Sequence, residues 1–327
     1  MKRVRVVAAI AIACLAWSAH AARTLEVMSF PGGFNWPFWV GTGKGFFAAE
    51  GLEVKLTPAP GSVVQMRGLA EGKYDLAIST IDNVIAYDEG QGEAKLDPRP
   101  DFFAFMGAQY GAVRLVAEPG IGSIAELKGK SLAVDAATTG YAFVLRKLLQ
   151  RGGLAEGDYE LKPLGGTGRR AEGLMKGETA ATILTSPLEV VPESRGYRRL
   201  ANATDAIGPY QALTGVARRS WARDHAGELV AFIRAYVKSV DWLSDPANRV
   251  EAVAIYRAHQ PQVSEENADK AWQVLVAGNE GFQKKAKLDR AGIETVLRLR
   301  KEFAHPPVPL GEPDKYIDET YYDKALR

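Results

Sequence analysis

Short apolar runs and amphipathic stretches alternate along most of this chain, and the alternation occurs twice. Each apolar run has the length of a strand, most of the stretches that follow have helical periodicity, and glycines end several of them. The first copy predicts strands at 25–29, 52–57 and 74–79 and helices at 38–50 and 62–72. The second copy predicts strands at 131–135, 159–164 and 179–184 and helices at 141–151 and 167–177. Strands that alternate with helices indicate parallel sheets.

The two copies match at a constant spacing. The segment Gly68-Leu69-Ala70-Glu71-Gly72 corresponds to Gly173-Leu174-Met175-Lys176-Gly177, and each residue of the second lies 105 positions after its counterpart. A repeat of this length is too long for a solenoid and predicts two similar α/β lobes. Open α/β sheets bind ligands at the carboxyl ends of their strands, so two facing lobes would enclose one cleft.

Beyond the second copy the pattern changes to one returning strand and a series of helices. The strand is predicted at 210–217, and an apolar stripe that includes Leu229, Phe232 and Tyr236 predicts a helix at 225–243. Shorter helices are predicted at 249–258, 265–276 and 290–303.

The first 21 residues have the pattern of a signal peptide. Three basic residues precede an apolar stretch at 6–17, and Ala19-His20-Ala21 is a small-x-small cleavage site. The stretch is shorter than the roughly 20 apolar residues that span a bilayer. The pattern predicts a periplasmic protein. A lipid anchor at Cys14 is disfavoured, because Ala11 is a poor match to a lipobox and the later site is a better cut.

Composition and charge narrow the classes of function. The chain has 327 residues, of which 46% are hydrophobic and 24% charged, as in a soluble globular protein. Three of the 41 basic residues and none of the 39 acidic ones lie in the signal segment, so the remainder has a net charge of −1. This charge provides no electrostatic basis for binding nucleic acid or an anionic membrane. The one cysteine is Cys14, which excludes disulfides and cysteine nucleophiles from the rest.

No catalytic or metal-binding motif is found. GxSxG, HExxH and Walker A patterns are missing, and His225, His259 and His305 have no ligand spacing. We therefore expect neither an enzyme, nor a metal, nor a cofactor.

The segment Gly166-x-Gly168-x-x-Ala171 follows a predicted strand and opens a helix, as in a dinucleotide fingerprint, with Glu189 18 residues further on. We favour a simpler interpretation, in which free N–H groups of a helix terminus bind an anion. Either Arg169 or Arg170 is then a candidate partner for the anion, and a solvated pair is an equal alternative for both.

Five segments together resemble a known family of receptors. They are 45–52, 68–78, 124–130, 138–141 and 181–187, and their order and spacing cover nearly the whole chain after the signal segment. The chain resembles the periplasmic solute-binding proteins of the nitrate/sulfonate/taurine type of ABC importer, a group that includes receptors for the thiamine pyrimidine precursor.

The resemblance implies an α/β protein with the type II, two-lobed periplasmic binding protein fold. Each lobe would be a mixed sheet flanked by helices, and two crossover strands near 110–114 and 194–210 would join the lobes. The implied organisation is a signal peptide at 1–21, lobe I at 22–112 and 208–327, and lobe II at 113–207.

The resemblance also implies a function and partners. The protein would be a monomeric receptor that closes on a small organic ligand, anionic or aromatic, and delivers it to an ABC permease with a cytoplasmic ATPase. A ligand-sensing receptor for a signalling partner is an alternative that the sequence does not separate, although neighbouring permease or sensor-kinase genes would. The third alternative is a pyrimidine-synthase-like enzyme, which depends on clustered cysteine and histidine. The absence of cysteine after the signal segment argues against it.

Candidate ligand-binding residues occupy the strand-to-helix turns of the two lobes. They are Phe34, Asn35, Trp36, Gly61, Ser62, Thr80, Asp82, Asn83, Gln109, Tyr110, Thr138, Thr139, Gly140, Tyr141, Thr167, Arg169 and Thr185. We expect Phe34 and Trp36 to form a stacking wall, although both would also suit a core. We expect Asp82 to accept from an amine or a ring N–H of the ligand. Ser62, Thr139 and Thr167 have a simpler role as helix caps.

Overall fold

A computed structural model describes residues 22–327 of the protein and contains two five-stranded sheets. The signal peptide predicted at 1–21, with Cys14, lies outside the described residues. The ten strands are β1 (Arg23–Ser29), β2 (Leu52–Pro58), β3 (Leu76–Thr80), β4 (Phe102–Tyr110), β5 (Val113–Ala117), β6 (Ser131–Val134), β7 (Glu160–Pro163), β8 (Ala181–Thr185), β9 (Arg198–Asn202) and β10 (Gln211–Arg218).

Helices cover both faces of these sheets and form most of the C-terminal third. They are α1 (Trp36–Gly43), α2 (Phe46–Ala49), α3 (Ser62–Ala70), α4 (Ile81–Asp88), α5 (Gly140–Arg151), α6 (Thr167–Met175), α7 (Val190–Ser194), α8 (Ala203–Ile207), α9 (Arg219–Asp224), α10 (Ala226–Ser244), α11 (Arg249–His259), α12 (Glu265–Trp272), α13 (Arg290–Phe303) and α14 (Thr320–Ala325). Within residues 22–327, no helix combines the length and the apolar character that crossing a membrane requires.

The two sheets have the same topology. Their strand orders are β2-β1-β3-β10-β4 and β7-β6-β8-β5-β9. In each sheet three parallel strands are followed by an antiparallel strand. The antiparallel strand is β10 in the first sheet, where it pairs with β3, and β5 in the second sheet, where it pairs with β8. The repeat in the sequence reflects this likeness, because α3 and α6, and likewise β3 and β8, begin 105 residues apart.

Each lobe receives its antiparallel strand after the chain has crossed from the other lobe. The first sheet uses strands within 23–110 and 211–218, and the second uses strands within 113–202. We propose that the lobe boundaries follow this division, at 22–112 with 208–327 and at 113–207. The two crossings touch at Gly111, where an added Cβ would lie 2.7 Å from the Cβ of Tyr210. Glycine therefore allows the two connections to pass side by side.

The core of the protein is not divided at the lobe boundary. One cluster of buried apolar side chains contains residues of both lobes, for example Leu69 and Ile85 of lobe I with Leu115 and Leu145 of lobe II. A second cluster surrounds α10, whose predicted apolar stripe is buried against α1 and the first sheet.

Two element predictions differ from the structure. The helix predicted at 38–50 is divided into α1 and α2, because Gly45 has a φ of 71° and breaks the helical path. The strands β4, β5 and β9 were not predicted as separate elements. Strands β4 and β5 are buried on both faces, so they lack the alternation of apolar and polar residues that marks a half-buried strand.

The cavity between the lobes as candidate functional site

A small cavity lies between the two lobes. Thr80 ends β3 and Thr185 ends β8, so the cavity is at the carboxyl ends of these central strands. Lobe I contributes Phe30, Phe34, Thr80, Asn83 and Leu213; lobe II contributes Asp135, Thr139, Gly140, Tyr141, Gly166, Thr167, Arg170 and Thr185.

Three helices begin at the cavity. The Thr80 side chain accepts a hydrogen bond from the Asn83 backbone N–H at 3.4 Å and caps α4. Thr139 immediately precedes α5, and Gly166 immediately precedes α6. The helix dipoles therefore favour negative charge on this side of the cleft.

Arg170 lies in the first turns of α6 and is 1% exposed. Its Nη2 donates to Thr167 Oγ1 at 2.9 Å, while its Nε has no hydrogen-bond partner among residues 22–327. No carboxylate in the described chain forms an ion pair with it. Burial lowers the pKa of the Arg170 guanidinium, and the charge of Asp135 opposes this shift. Because a buried charge without an ion-pair partner is costly, the arrangement favours an anion in the cavity.

Tyr141 extends this polar side of the cavity. The Arg170 guanidinium lies 6.0 Å from the centre of the Tyr141 ring, within the range of a cation–π contact. The Tyr141 hydroxyl is buried and has no protein hydrogen-bond partner within 22–327. Burial raises the pKa of this phenol, so it stays protonated and able to donate. Tyr141 and Arg170 thus supply donors that the described chain leaves unused.

The cavity also has an apolar wall. Phe30, Phe34 and Leu213 line it, and Phe34 is 4% exposed. Asn35 shapes this loop from behind, because its Nδ2 donates to the Phe30 carbonyl at 2.7 Å and its Oδ1 accepts from Ser29 Oγ at 2.7 Å. Asn35 is therefore a support of the wall and does not line the cavity.

Asp135 is a carboxylate on the cavity surface. It follows β6 and is half-buried. Its Oδ2 accepts a hydrogen bond of 2.5 Å from Ser62 Oγ, which belongs to the other lobe. Ser62 and the adjacent Gly61 therefore lie at a lobe-to-lobe contact and do not line the cavity.

The structure corrects the expected role of Asp82. Its carboxylate accepts from Arg300 Nε at 2.9 Å and from Nη2 at 2.7 Å, and both side chains are 1% exposed. This bidentate pair occupies the oxygens of Asp82, so they are not available to an amine of a ligand. The same Nη2 also donates to the Thr138 carbonyl at 3.3 Å, across the lobe boundary.

Trp36 also differs from expectation. Its ring is fully buried in lobe I, and its centre lies 4.5 Å from the centre of the Tyr256 ring. Its Nε1 donates to the Ala252 carbonyl at 3.1 Å. The loop expected to supply a wall of Phe34 and Trp36 therefore supplies Phe34 and Phe30, with Trp36 turned into the core.

The remaining expected residues lie near the cavity without lining it. Thr138 donates through both its backbone N–H and its hydroxyl to Glu93 of the other lobe. Gln109 and Tyr110 lie at the first crossing, where Gln109 Nε2 donates to the Ser186 carbonyl at 3.0 Å. Arg169 is exposed and borders a separate surface groove. Arg170 is thus the arginine that faces the cleft.

Arg170 and Leu213 line the cavity, although neither was among the ligand-binding residues predicted from the sequence. Helical spacing contained the signal for Arg170, because Thr167, Arg170, Ala171 and Leu174 are all buried on α6 and recur at intervals of three and four. Leu213 comes from β10, far along the chain, and no local pattern placed it here.

The dinucleotide fingerprint is not supported by the geometry. The Gly166 N–H donates to the Pro60 carbonyl of the other lobe at 3.2 Å, so it is not free for a pyrophosphate. Glu189 is fully buried and accepts from Ser186 Oγ, which keeps it from a ribose. Among residues 22–327, no group of three His, Cys, Asp or Glu residues is placed to hold a metal ion.

Comparison with known proteins identifies the family of this chain. A family model described as NMT1/THI5 like matches residues 35–249, more than half of the chain. A search of curated protein sequences found no match.

Solved structures share the fold at low sequence identity. The ligand-binding component of an ABC-type import system from Staphylococcus aureus is 14% identical with a TM-score of 0.75, over 93% of this chain and 99% of that one. The periplasmic nitrate-binding protein NrtA from Synechocystis PCC 6803 is 12% identical with a TM-score of 0.77, over 93% and 88%. The periplasmic aliphatic sulphonate binding protein SsuA from Escherichia coli is 14% identical with a TM-score of 0.66, over 90% and 92%.

One similar structure is an enzyme. The desulfurization enzyme DSZB is 14% identical with a TM-score of 0.63, over 93% of this chain and 99% of that one. The likenesses confirm the two-lobed periplasmic binding protein fold, and function must be argued from the cavity.

Proposed function

This chain belongs to the NMT1/THI5-like family, and from that premise we propose that it is an extracytoplasmic receptor for a small organic anion. The lobes close around the ligand, and the closed receptor delivers it to an ABC permease driven by a cytoplasmic ATPase. The receptor acts as a monomer.

Arg170 is the observation that carries this proposal. A guanidinium that is 1% exposed, has an unused Nε and lacks a paired carboxylate within the described chain needs an anion to offset its burial. The threonine hydroxyls and Tyr141 supply further donors, and Phe30, Phe34 and Leu213 supply an apolar surface for the rest of the ligand.

Delivery to a permease is supported by the similar proteins. One is the ligand-binding component of an ABC-type import system, and two others are periplasmic proteins that bind nitrate and aliphatic sulphonates. The same cavity would serve a receptor that hands its closed form to a signalling partner. Genes for a permease and an ATPase beside this one favour transport, and a neighbouring sensor kinase favours signalling.

A binding role fits the cavity better than a catalytic one. No histidine or cysteine is among the residues that line the cavity. The carboxylate of Asp135 is hydrogen-bonded to Ser62 of the other lobe, an arrangement that serves closure. Nothing in the described lining pairs a nucleophile with a base.

A periplasmic location follows from the same proposal. The nitrate- and sulphonate-binding proteins of this fold are periplasmic, and the N-terminal 21 residues have the sequence pattern of a cleaved signal.

A thermal-shift and calorimetric screen of residues 22–327 tests the proposal. The panel contains nitrate, alkanesulfonates, taurine, benzoates, pyrimidines and NAD. An organic anion at 100 times its Kd should add about 2.7 kcal/mol to the free energy of unfolding. Arg170→Gln should weaken its binding by roughly ten- to a hundredfold, because a charge-assisted hydrogen bond is lost.

The neighbouring arginine provides the matched control. Arg169→Gln changes the same charge on the same helix but at an exposed position, so it should leave the affinity unchanged. Equal effects of the two substitutions would contradict the role of Arg170. Stabilisation by NAD alone would contradict the receptor proposal.

A further inference from the structure

The cavity holds two opposite charges that are not paired with each other. Arg170 and Asp135 both line it, and within residues 22–327 neither forms an ion pair with any residue. The hydrogen-bond partners of both groups are neutral hydroxyls, Thr167 for the guanidinium and Ser62 for the carboxylate. A ligand that carries both an acid group and a nitrogen donor would satisfy both of these charges.

We propose that the ligand is an aromatic acid that also carries a nitrogen donor, with its acid group bound by Arg170 and its donor bound by Asp135. The inference rests on the proposed receptor function and names its ligand class. Asp135 is then the residue that determines specificity.

The electrostatics of the two charged groups support this class. An acid group placed at Arg170 satisfies the unused Nε and lies close to the Tyr141 hydroxyl, which has no other partner in the described chain. Asp135 repels a second negative charge and attracts an ammonium or N–H group. A plain inorganic anion satisfies Arg170 alone and is repelled by Asp135, so it uses only half of the site.

The apolar wall favours an aromatic group as the part of the ligand that joins its acid group to its nitrogen donor. Phe30 and Phe34 present ring faces or edges, and Leu213 adds an aliphatic surface. Aromatic rings gain more from such a surface than a flexible alkyl chain, because they lose less conformational freedom on binding and stack on phenyl groups. The cavity is small, which favours a compact ligand such as a single ring over a bulky one.

A merely structural role of Asp135 predicts a different result. Its hydrogen bond to Ser62 links the lobes, so loss of the carboxylate could weaken closure on every ligand. Closure, however, contributes to the binding of benzoate and of its aminomethyl derivatives alike, because they share the ring and the acid group. The ratio of two affinities therefore separates selection by Asp135 from closure.

Calorimetric titration with benzoate and with 3- and 4-(aminomethyl)benzoate measures this ratio. The wild-type protein, residues 22–327, should bind at least one aminomethyl compound roughly tenfold or more tightly than benzoate, since a hydrogen bond between charged groups is gained. Asp135→Asn should abolish the advantage and leave benzoate binding equal or tighter. Ser62→Ala removes the link between the lobes but keeps the carboxylate, so it should preserve the ratio. Arg170→Gln should weaken all three compounds.

The outcomes distinguish this inference from the receptor proposal. If the aminomethyl compounds bind no better than benzoate, or if Asp135→Asn keeps their advantage, the inference is overturned and the receptor proposal stands. The same holds if the benzoates fail while methanesulfonate binds, whereas binding of nitrate alone would contradict the organic ligand of the receptor proposal as well. If no compound of the screen binds, the receptor proposal fails together with the inference.

Discussion

Three buried charged groups around the cleft have different partners, and the partner decides what each group does. Arg300 is neutralised by Asp82 in a bidentate pair. Arg170 has only the Thr167 hydroxyl, which points to a ligand. Glu189 has only the hydroxyl of Ser186, and its Oε2 has no partner in the described chain. Burial raises the pKa of Glu189, while the Ser186 hydrogen bond and the charge of Arg114 act in the opposite direction.

The raised pKa of Glu189 predicts a pH-dependent stability. An unfolded glutamate ionises near 4.5, whereas the folded protein holds its proton to a higher pH. The contribution of protonated Glu189 to the free energy of unfolding is therefore complete below about pH 4.5. It is lost as the pH rises through the folded pKa, at about 1.4 kcal/mol for each pH unit between the unfolded and the folded pKa. Glu189→Gln keeps the shape without the charge. Urea unfolding from pH 4.5 to pH 8 should show a more stable variant at neutral pH.

An exposed carboxylate on the same lobe serves as the control. Glu172 is exposed, and Glu172→Gln should follow the wild-type pH profile. A wild-type stability that rises through this range while Glu189→Gln stays parallel to it would show that Glu189 does not bind the extra proton.

The N-terminus of α5 is the element that seats lobe II on lobe I. Gly140 opens this helix and packs directly on the side chain of Asp82, which Arg300 holds in place. Arg300 also contacts the preceding carbonyl of Thr138, and its guanidinium lies 5.1 Å from the ring centre of Phe143 on the same helix. Asp82, which the sequence analysis assigned to ligand binding, instead forms with Arg300 the buried ion pair on which α5 rests.

Gly140→Ala should disturb this contact without harming either lobe. The new Cβ would lie 2.6 Å from Cβ and Cγ of Asp82, whose position is fixed by Arg300, so α5 must shift outwards. We expect a larger radius of gyration in small-angle X-ray scattering and a stability loss of about 1–3 kcal/mol, as for other overpacked contacts.

Gly227→Ala is the matched control, because Gly227 lies in the first turn of α10 and an added Cβ meets nothing within 4 Å. It should leave the radius of gyration unchanged and stabilise slightly. If the two variants had the same radius of gyration and stability, the contact of Gly140 with Asp82 would not determine the position of α5.

The whole molecule has two lobes but shares one core between them. The apolar cluster that contains Leu69 and Leu115 extends across both lobes, and α5 of lobe II stacks Phe143 on Phe303 of α13 in lobe I at 6.2 Å. The first sheet is completed by β10 only after the chain has passed through lobe II. Neither lobe can therefore lose its structure without exposing apolar surface of the other.

This shared core predicts that residues 22–327 unfold in one cooperative transition. Differential scanning calorimetry should give a single peak whose calorimetric and van't Hoff enthalpies agree. Two resolved peaks would show that the lobes unfold independently and that their contact contributes little.

The sequence by itself determined most of the elements and their order. Helical stripes, short apolar runs and the 105-residue repeat are local or periodic features, so they predicted two α/β lobes, the returning strand and most of the turns that line the cavity. The tertiary structure alone decided which polar groups meet. Arg300 lies 218 positions from Asp82, and Ala252 lies 216 positions from Trp36. No pattern along the chain encodes such pairs, because burial energetics choose partners in space, and they left Arg170 as the cation facing the cleft.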